Sequence, residues 1–400
     1  MGVPTPPPTD VIELPDSTPH EIESRAELDH HLRKGSLAGL TIQGLRLDLH
    51  PAPDLDDIDL TDTLFVGCQF ATPVVESALV LRGAHVIPGF PTLPFPTHPS
   101  RLYTPDDLAA NFDTSGFAGM YDTVVYDHFR TAGGATPEVR EALAQRLHDH
   151  AIDNGLADIT RGWIATNGPE TVVGVMGGHA VPRGSTAYRL AATLGWELTR
   201  ADRLIVTGGG PGVMEAANLG SYMSSRGPED LTHAIDELSG APDFLDHDPY
   251  TAAALRVRAH YAPAVSEGPL AWARQGGLAI PTWLYGHEPA NLFAGQIAKY
   301  FSNAIREDMI LRLARGGIVF APGRAGTVQE VFQAATKTFY GTDGTSGAYI
   351  FLDRAYWTDT LPIETLLRPL MALSRFGDLS STIHVTDDVH EAVAVLTKST

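Results

Sequence analysis

Residues 204–213 give the clearest indication of the fold: Leu204-Ile-Val-Thr207 is followed by Gly208-Gly-Gly-Pro-Gly212 and Val213. A continuous apolar run of this length predicts a strand buried on both faces. The glycines predict a tight turn, and a helix is expected from about Val213. This order of strand, glycine turn and helix recurs at 171–200 and from 317 onward. The repetition predicts an α/β fold with a doubly wound, Rossmann-like parallel sheet.

The same alternation of strands and helices defines a domain over residues 166–400. Further apolar runs at 348–352 and 382–385 predict two more strands, each followed by a helix. Residues 226–276 interrupt the rhythm with polar, helical sequence, so we expect a helical insertion there that acts as a lid or an interface. The predicted helices nearest the glycine turns cover 185–200 and the segment from Thr327.

The N-terminal part has a different pattern. Residues 1–20 are rich in Pro, Thr and Asp and predict a flexible tail. Residues 21–165 predict an additional α+β domain, with half-buried strands at 37–49 and 58–66 and an amphipathic helix over 138–150. We expect a structural, regulatory or oligomer-forming role for it.

Composition excludes several classes of protein. The 400 residues carry 28 Lys+Arg against 48 Asp+Glu, a net charge of −20. Such a balance argues against binding to a nucleic-acid polymer or an anionic membrane. The single cysteine, Cys68, excludes an intramolecular disulfide and a thiolate zinc site. The sequence has neither a secretory signal nor an apolar run of about 20 residues, so we expect a cytoplasmic protein.

The sixteen histidines do not have the spacing of a metal site. His30-His31 and His148-x-His150 lie in charged contexts that predict exposed side chains, and no H-E-x-x-H occurs. We therefore expect no metal site, and no metal or redox cofactor.

Three glycine-rich turns, at 177–178, 208–212 and 323–327, end three predicted strands. The carboxyl ends of parallel strands line the ligand crevice of an open sheet, and the first turn of the following helix favours an anion. Together these turns indicate a phosphate-bearing ligand. The alternative is that each is only a tight connection between strand and helix.

Two common nucleotide motifs are absent. The dinucleotide fingerprint G-x-G-x-x-G, started at Gly208, would need glycine where Val213 stands. The Walker loop would need a lysine directly before Thr327, where Gly326 stands. An NAD-dependent oxidoreductase and an enzyme that hydrolyses nucleoside triphosphates are therefore disfavoured.

The segment Pro322-Gly-Arg-Ala-Gly-Thr-Val-Gln-Glu330 is the most informative. The Thr327 hydroxyl and the N–H groups of Gly326 and Thr327 could bind phosphate at a helix start. Glu330, three residues on, would lie at the same end of the helix. The alternative, equally weighted, is a capping box in which Thr327 and Glu330 only cap the helix.

The segments Val206-Thr-Gly-Gly-Gly-Pro-Gly-Val-Met-Glu-Ala-Ala-Asn218 and 322–330 together resemble the two signatures of the LOG family of nucleoside 5'-monophosphate phosphoribohydrolases, once labelled lysine decarboxylases. The resemblance covers about residues 168–400. The long N-terminal block and the insertion are more similar to the longer bacterial nucleotide 5'-monophosphate nucleosidases of that superfamily.

The resemblance implies roles for particular residues. Glu330 and Arg306 would be the catalytic pair, and Gly323, Gly326 and Thr327 would hold the 5'-phosphate. The family members are typically dimers or larger assemblies, so a homodimer or higher homo-oligomer is expected. The full set of predicted substrate-binding residues is Gly177, Gly178, Gly208, Gly209, Gly210, Gly212, Met214, Gly323, Arg324, Ala325, Gly326 and Thr327.

The sequence also departs from the family pattern. Arg324 replaces the usual second glycine of the second signature, and would either contact the phosphate or fill the site. Glu307 stands where many members have lysine. Separately, 281–291 offers Trp283, Tyr285, His287 and Glu288 as a wall that recognises the base, the alternative being a packed loop.

Two functions are left open. The first is hydrolysis of the N-glycosidic bond of a nucleoside 5'-monophosphate, giving free base and ribose 5-phosphate without a cofactor. The second is a non-catalytic protein that carries or senses a nucleotide or another phosphorylated ligand in the same crevice.

Overall fold

The computed structural model describes residues 20–49, 51–87, 89–262, 268, 270–342 and 347–398, so all but His20 of the predicted tail lies outside the described residues. The chain divides into two compact units. The described part of the smaller unit comprises 20–102 and 128–158, and that of the larger unit comprises 103–127 and 159–398.

The smaller unit contains a four-stranded parallel sheet in chain order. Paired residues of the second and third strands are 23 apart in sequence, as in Thr41↔Leu64, and the flanking bridges Ser36↔Asp59 and Arg46↔Gln69 keep that offset. Two successive turns of chain are therefore stacked in register over an apolar core that includes Ile42 and Phe65. Its elements are β1 (Glu21–Ile22), α1 (Arg25–Leu32), β2 (Thr41–Gln43), β3 (Leu64–Val66), α2 (Pro73–Leu81) and β4 (His85–Ile87).

Four helices follow in the chain. They are α3 (Pro105–Leu108), α4 (Phe112–Ser115), α5 (Tyr121–Thr131) and α6 (Val139–Asn167). The helix predicted over 138–150 is thus correct at its start but continues for 17 more residues, to Asn167. The strands predicted at 37–49 and 58–66 are shorter than expected, because only the central residues of the first and the last three residues of the second form strands.

The larger unit confirms the predicted α/β fold with a seven-stranded, all-parallel, Rossmann-like sheet. The strand order along the sheet is β11-β10-β9-β5-β6-β7-β8. The five strands that the sequence predicts here are present. The strands are β5 (Val172–Met176), β6 (Leu204–Thr207), β7 (Leu278–Ala279), β8 (Gln296–Ile297), β9 (Gly317–Phe320), β10 (Ala348–Leu352) and β11 (Ile383–Thr386).

The strand order reverses between β5 and β9, because β6 lies on one side of β5 and β9 on the other. Ligands of open α/β sheets bind at such a switch point, outside the carboxyl ends of the strands. All three strands are completely buried, which accounts for their continuous apolar sequence. The fold therefore brings the turns at 177–178 and 322–326 together, with that at 208–212 beside them.

The helices of the larger unit follow the strands as predicted, and the interruption at 226–276 contains α9 and α10. They are α7 (Thr186–Arg200), α8 (Val213–Tyr222), α9 (Pro228–Leu238), α10 (His247–His260), α11 (Asn303–Leu313), α12 (Ala325–Tyr340), α13 (Glu364–Ala372) and α14 (Val389–Thr397). In the part of the chain that is described, no helix combines the length and the apolar character needed to cross a membrane.

Two expectations for the N-terminal block need correction. Residues 103–127 belong to the larger unit, because Tyr103 pairs with Ile297 and Asp122 binds Lys299, which are long-range contacts that no local pattern reveals. His148, expected at the surface, is completely buried, with its ring edge-on to Phe95.

Candidate functional site

Backbone hydrogen bonds join the three glycine turns. The N–H of Gly178 donates to the carbonyl of Pro322 at 2.9 Å, and the N–H of Val213 donates to the carbonyl of Gly178 at 3.2 Å. The turns therefore form one connected surface at the carboxyl ends of β5, β6 and β9.

A buried polar network supports the turn at 208–210. The Thr207 hydroxyl donates to Asn218 Oδ1 at 2.7 Å and accepts from the N–H of Gly209 at 3.1 Å. Asn291 Nδ2 also donates to Asn218 Oδ1, at 2.8 Å, and Asn218 Nδ2 donates to the carbonyl of Gly276. These residues are buried, so each polar group needs its partner, and the network fixes the turn.

Glu215, in the middle of the first signature, has a structural role. Its carboxylate accepts from Arg183 Nε at 2.9 Å and from the hydroxyls of Tyr188 at 2.9 Å and Tyr250 at 2.7 Å. Arg183 and Glu215 are 2% exposed each, and the Arg183 guanidinium lies 3.2 Å from the centre of the Tyr250 ring. This buried ion pair ties the segment before α7 to α8 and α10.

A cavity of about 710 Å³ opens beside the connected turns. Twelve of the fourteen predicted site residues line it, namely Gly177, Gly178, Gly208, Gly209, Gly210, Met214, Arg306, Gly323, Arg324, Gly326, Thr327 and Glu330. The other two, Gly212 and Ala325, are not among the lining residues. Gly212 packs against the backbone of 178–179, where a Cβ would come within 2.4 Å of the Gly178 carbonyl oxygen. The glycine at 212 is therefore required by this backbone contact and not by a ligand.

Helix α12 begins two residues earlier than the sequence predicts. Arg324 is its N-cap residue, with φ −105° and ψ −155°, and Thr327 is the third helical residue. Thr327 is therefore not the cap of a capping box with Glu330, and that alternative is wrong. The N–H groups of 325–327 belong to the first turn, which lacks intrahelical acceptors.

The two glycines of this turn differ in what surrounds them. A Cβ on Gly323 would lie 2.1 Å from Thr327 Oγ1, so Gly323 is needed for close packing against Thr327. A Cβ on Gly326 would meet nothing within 4 Å. The space in front of Gly326 is open and borders the cavity, and the exposed Arg324 side chain does not fill it.

Arg306, on α11, is 7% exposed at the cavity wall. Its Nε donates to the carbonyl of Ile280 at 2.9 Å, and its Nη1 donates to Asn303 Oδ1 at 3.2 Å. A Cβ on Gly208 would lie 2.3 Å from Arg306 Nη2. The glycine at 208 therefore makes room for the guanidinium, a role that the motif alone does not reveal.

Glu330 lies in the same wall on α12, partly exposed to the cavity. Burial raises the pKa of its carboxyl to about 7, against the opposing attraction of Arg306, while the Glu307 carboxylate raises it further. Glu307 itself accepts from Asn303 Nδ2 and Gln329 Nε2, each at 2.8 Å. A carboxyl with this pKa can exchange a proton near neutral pH, which is what acid–base catalysis needs.

The segment predicted to recognise a base is divided between the cavity and the core. Tyr285, His287 and Glu288 line the cavity. Trp283 does not: it is completely buried, and its Nε1 donates to Asp122 Oδ1 at 2.9 Å. For Trp283 the packed-loop alternative is therefore correct.

Among the lining residues that the sequence does not predict, three have titratable side chains. Lys299 is 2% exposed, and its Nζ binds Asp122 Oδ1 at 2.6 Å. Tyr356, in a π-helical turn, donates its hydroxyl to the carbonyl of Gly323. His179 follows the first glycine turn. Of these three, only His179 could be recognised in the sequence, because it directly follows Gly178. Lys299 and Tyr356 do not lie in any motif.

The described residues contain no group of three or more His, Cys, Asp or Glu side chains placed to hold a metal ion. The chain matches no protein-family model and no curated protein. The chemistry must therefore be inferred from the cavity itself.

Proposed function

We propose that this protein hydrolyses the N-glycosidic bond of a nucleoside 5'-monophosphate, releasing free base and ribose 5-phosphate. The observation that carries the proposal is one cavity that contains both the open first turn of α12 and a carboxyl of raised pKa beside a buried arginine. The first feature suits a phosphate monoester, and the second suits a reaction in which positive charge develops close by.

The phosphate is assigned to residues 323–327. The N–H groups of a helix's first turn and its dipole favour an anion. The open space in front of Gly326 allows a ligand to approach the backbone, and the exposed Arg324 can add a charge-assisted contact. The cavity volume of about 710 Å³ lies within the range usual for small-molecule sites.

The bond cleavage is assigned to Glu330 and Arg306. As the bond between C1' and the base breaks, the sugar becomes oxocarbenium-like, and the ionised Glu330 stabilises this charge and accepts a proton from the attacking water. Arg306 lies close enough to favour the ionised form of Glu330. The guanidinium is itself fixed by Ile280 and Asn303, so it needs no reorganisation during the reaction.

Membership in the LOG family is part of this proposal. Its support is that the first signature, the second signature and Arg306 border one cavity, although more than 90 residues separate the two signatures. The homo-oligomeric state and the cytoplasmic location stay predictions from the sequence.

The test is to incubate the protein with AMP, GMP, CMP, UMP and IMP and to measure free base and ribose 5-phosphate. We expect release that falls about 10²–10⁴-fold in Glu330→Gln and is unchanged in Glu138→Gln, a control on the exposed surface of the smaller unit. Tight binding of a nucleotide with no release under any condition would contradict hydrolysis and support the carrier or sensor.

A further inference from the structure

A second carboxyl, that of Glu288, faces the same cavity and has no part in the steps above. It follows the 3₁₀ turn Trp283–Tyr285, and its side chain is 12% exposed. Burial raises its pKa, although His287, Arg306 and Lys299 oppose the rise. Arg306 thus influences both Glu288 and Glu330, so the two carboxyls lie near one guanidinium.

The carboxyl of Glu288 lies between His179 and the glycine turn. His179 Nδ1 is 3.3 Å from Glu288 Oε1. The other oxygen, Oε2, lies against the glycine turn, 3.0 Å from where a Cβ on Gly210 would be. These neighbours on both sides hold the carboxyl at the cavity wall.

The proposed reaction needs such a group. A purine or pyrimidine leaves poorly as an anion, so the base must gain a proton as the bond breaks. Glu330 cannot supply this proton while it is ionised to stabilise the sugar. Two carboxyls with separate tasks are the usual arrangement for cleavage of a glycosidic bond.

We propose that Glu288 is the general acid that protonates the departing base. This inference rests on the proposed function. The C1'–N bond breaks with its electron pair going to the base, and the Glu288 proton goes to a ring nitrogen or carbonyl oxygen of that base. Water forms the new C1'–O bond and gives its proton to Glu330. Transfer of this proton through solvent from Glu330 to Glu288 restores both groups.

The experiment compares two substrates that differ in their need for a proton. AMP requires protonation of its base, whereas 4-nitrophenyl riboside 5-phosphate releases a stable anion. We expect Glu288→Gln to lower kcat on AMP about 10²–10⁴-fold and to leave kcat on the nitrophenyl substrate within about threefold. Glu330→Gln should slow both substrates, because both pass through the same sugar cation.

The outcomes separate this inference from the proposed function. Equal loss on both substrates in Glu288→Gln, or an unchanged rate on AMP, would overturn the general acid while leaving hydrolysis intact. A wild-type protein that cleaves neither substrate would overturn the proposed function instead. If Glu288→Gln does not fold, the wild-type protein can be tested with a series of ring-substituted phenyl riboside 5-phosphates. A general acid predicts that log kcat depends only weakly on the acidity of the leaving group. A steep dependence would contradict it.

Discussion

Glycines 208 and 326 border the same cavity for different reasons. Gly208 is required by the protein, because a side chain there would occupy the position of the Arg306 guanidinium. Gly326 has no neighbour that excludes a side chain. We attribute this glycine to the proposed ligand, because a phosphate can reach the backbone N–H groups of 326 and 327 only if no Cβ is in the way.

Gly326→Ala tests this explanation at a single residue. Because the added methyl projects into open cavity and alanine favours a helix, we expect unchanged or slightly higher stability, by up to about 1 kcal/mol. Affinity for ribose 5-phosphate should fall about 10–100-fold through loss of charge-assisted hydrogen bonds, as measured by calorimetric titration. Gly227→Ala, also in open space but away from the cavity, is the matched control. Undiminished affinity in Gly326→Ala would contradict the placement of the phosphate.

Glu330 makes stability depend on pH. Its folded pKa of about 7 lies above the ordinary 4.5, so the folded state holds the proton more tightly than the unfolded state. The free energy of unfolding therefore falls as pH rises from about 4.5 to 7. Glu330→Gln should not show this fall, because glutamine does not titrate. We expect the variant to match the wild type at pH 4 and to exceed it by about 1–3 kcal/mol at pH 8, since one pKa unit corresponds to about 1.4 kcal/mol and the side chain is partly exposed.

Urea unfolding at both pH values measures the difference, with Glu138→Gln as a control for removal of an exposed charge. A difference that is equal at pH 4 and pH 8 would show that the pKa of Glu330 is not raised.

For single residues, the sequence predicts the site residues that lie in a motif and misses those that only tertiary contacts bring to the cavity. Gly323, Thr327 and Glu330 lie in the second signature, and Arg306 is predicted only from the family resemblance. Lys299 and Tyr356 reach the cavity through tertiary contacts with Asp122 and Gly323, and nothing local marks them.

Among the secondary-structure elements, the length of a strand determines whether the sequence predicts it. β5, β6 and β9 are four or five residues long and fully buried, so their apolar runs are unmistakable. β7 and β8 have two residues each, too few for any pattern. The start of α12 was placed two residues late because Arg324, which caps it without a side-chain hydrogen bond, is not a usual cap residue.

The Arg183–Glu215 pair is the test at this scale. Glu215→Gln leaves a buried guanidinium without its counter-charge, so we expect a loss of about 3–5 kcal/mol in the free energy of unfolding. The double variant Arg183→Met/Glu215→Leu should regain most of it, because no unpaired charge remains. Denaturant unfolding of the three proteins gives the values. A loss below about 1 kcal/mol in the single variant would mean that the pair does not hold the segment before α7 to α8 and α10.

At the scale of the whole molecule, the proposed function requires an acidic chain to bind an acidic ligand. The net charge of −20 opposes the approach of a phosphate. The N–H groups of a helix start, with Arg324 and Arg306, supply local positive potential where the total charge does not. The sequence predicts this contrast because the glycine turns are visible in it, whereas the joining of 103–127 to the larger unit depends on contacts across more than 150 residues.

Ligand binding should therefore stabilise the folded molecule. At a ribose 5-phosphate concentration 100 times its Kd, we expect the free energy of unfolding to rise by about 2.7 kcal/mol. Thermal unfolding in increasing ligand measures the shift, and free ribose, which lacks the phosphate, is the control. An equal shift with ribose, or none with ribose 5-phosphate at millimolar concentration, would contradict a site built around the phosphate.

The most direct measurement is a crystal structure of Glu330→Gln with AMP bound. We predict phosphate oxygens within hydrogen-bond distance of the backbone nitrogens of Gly326 and Thr327. The anomeric carbon should face residue 330, and the adenine should lie beside Glu288. A phosphate bound elsewhere, or an adenine in the place assigned to the phosphate, would contradict the account.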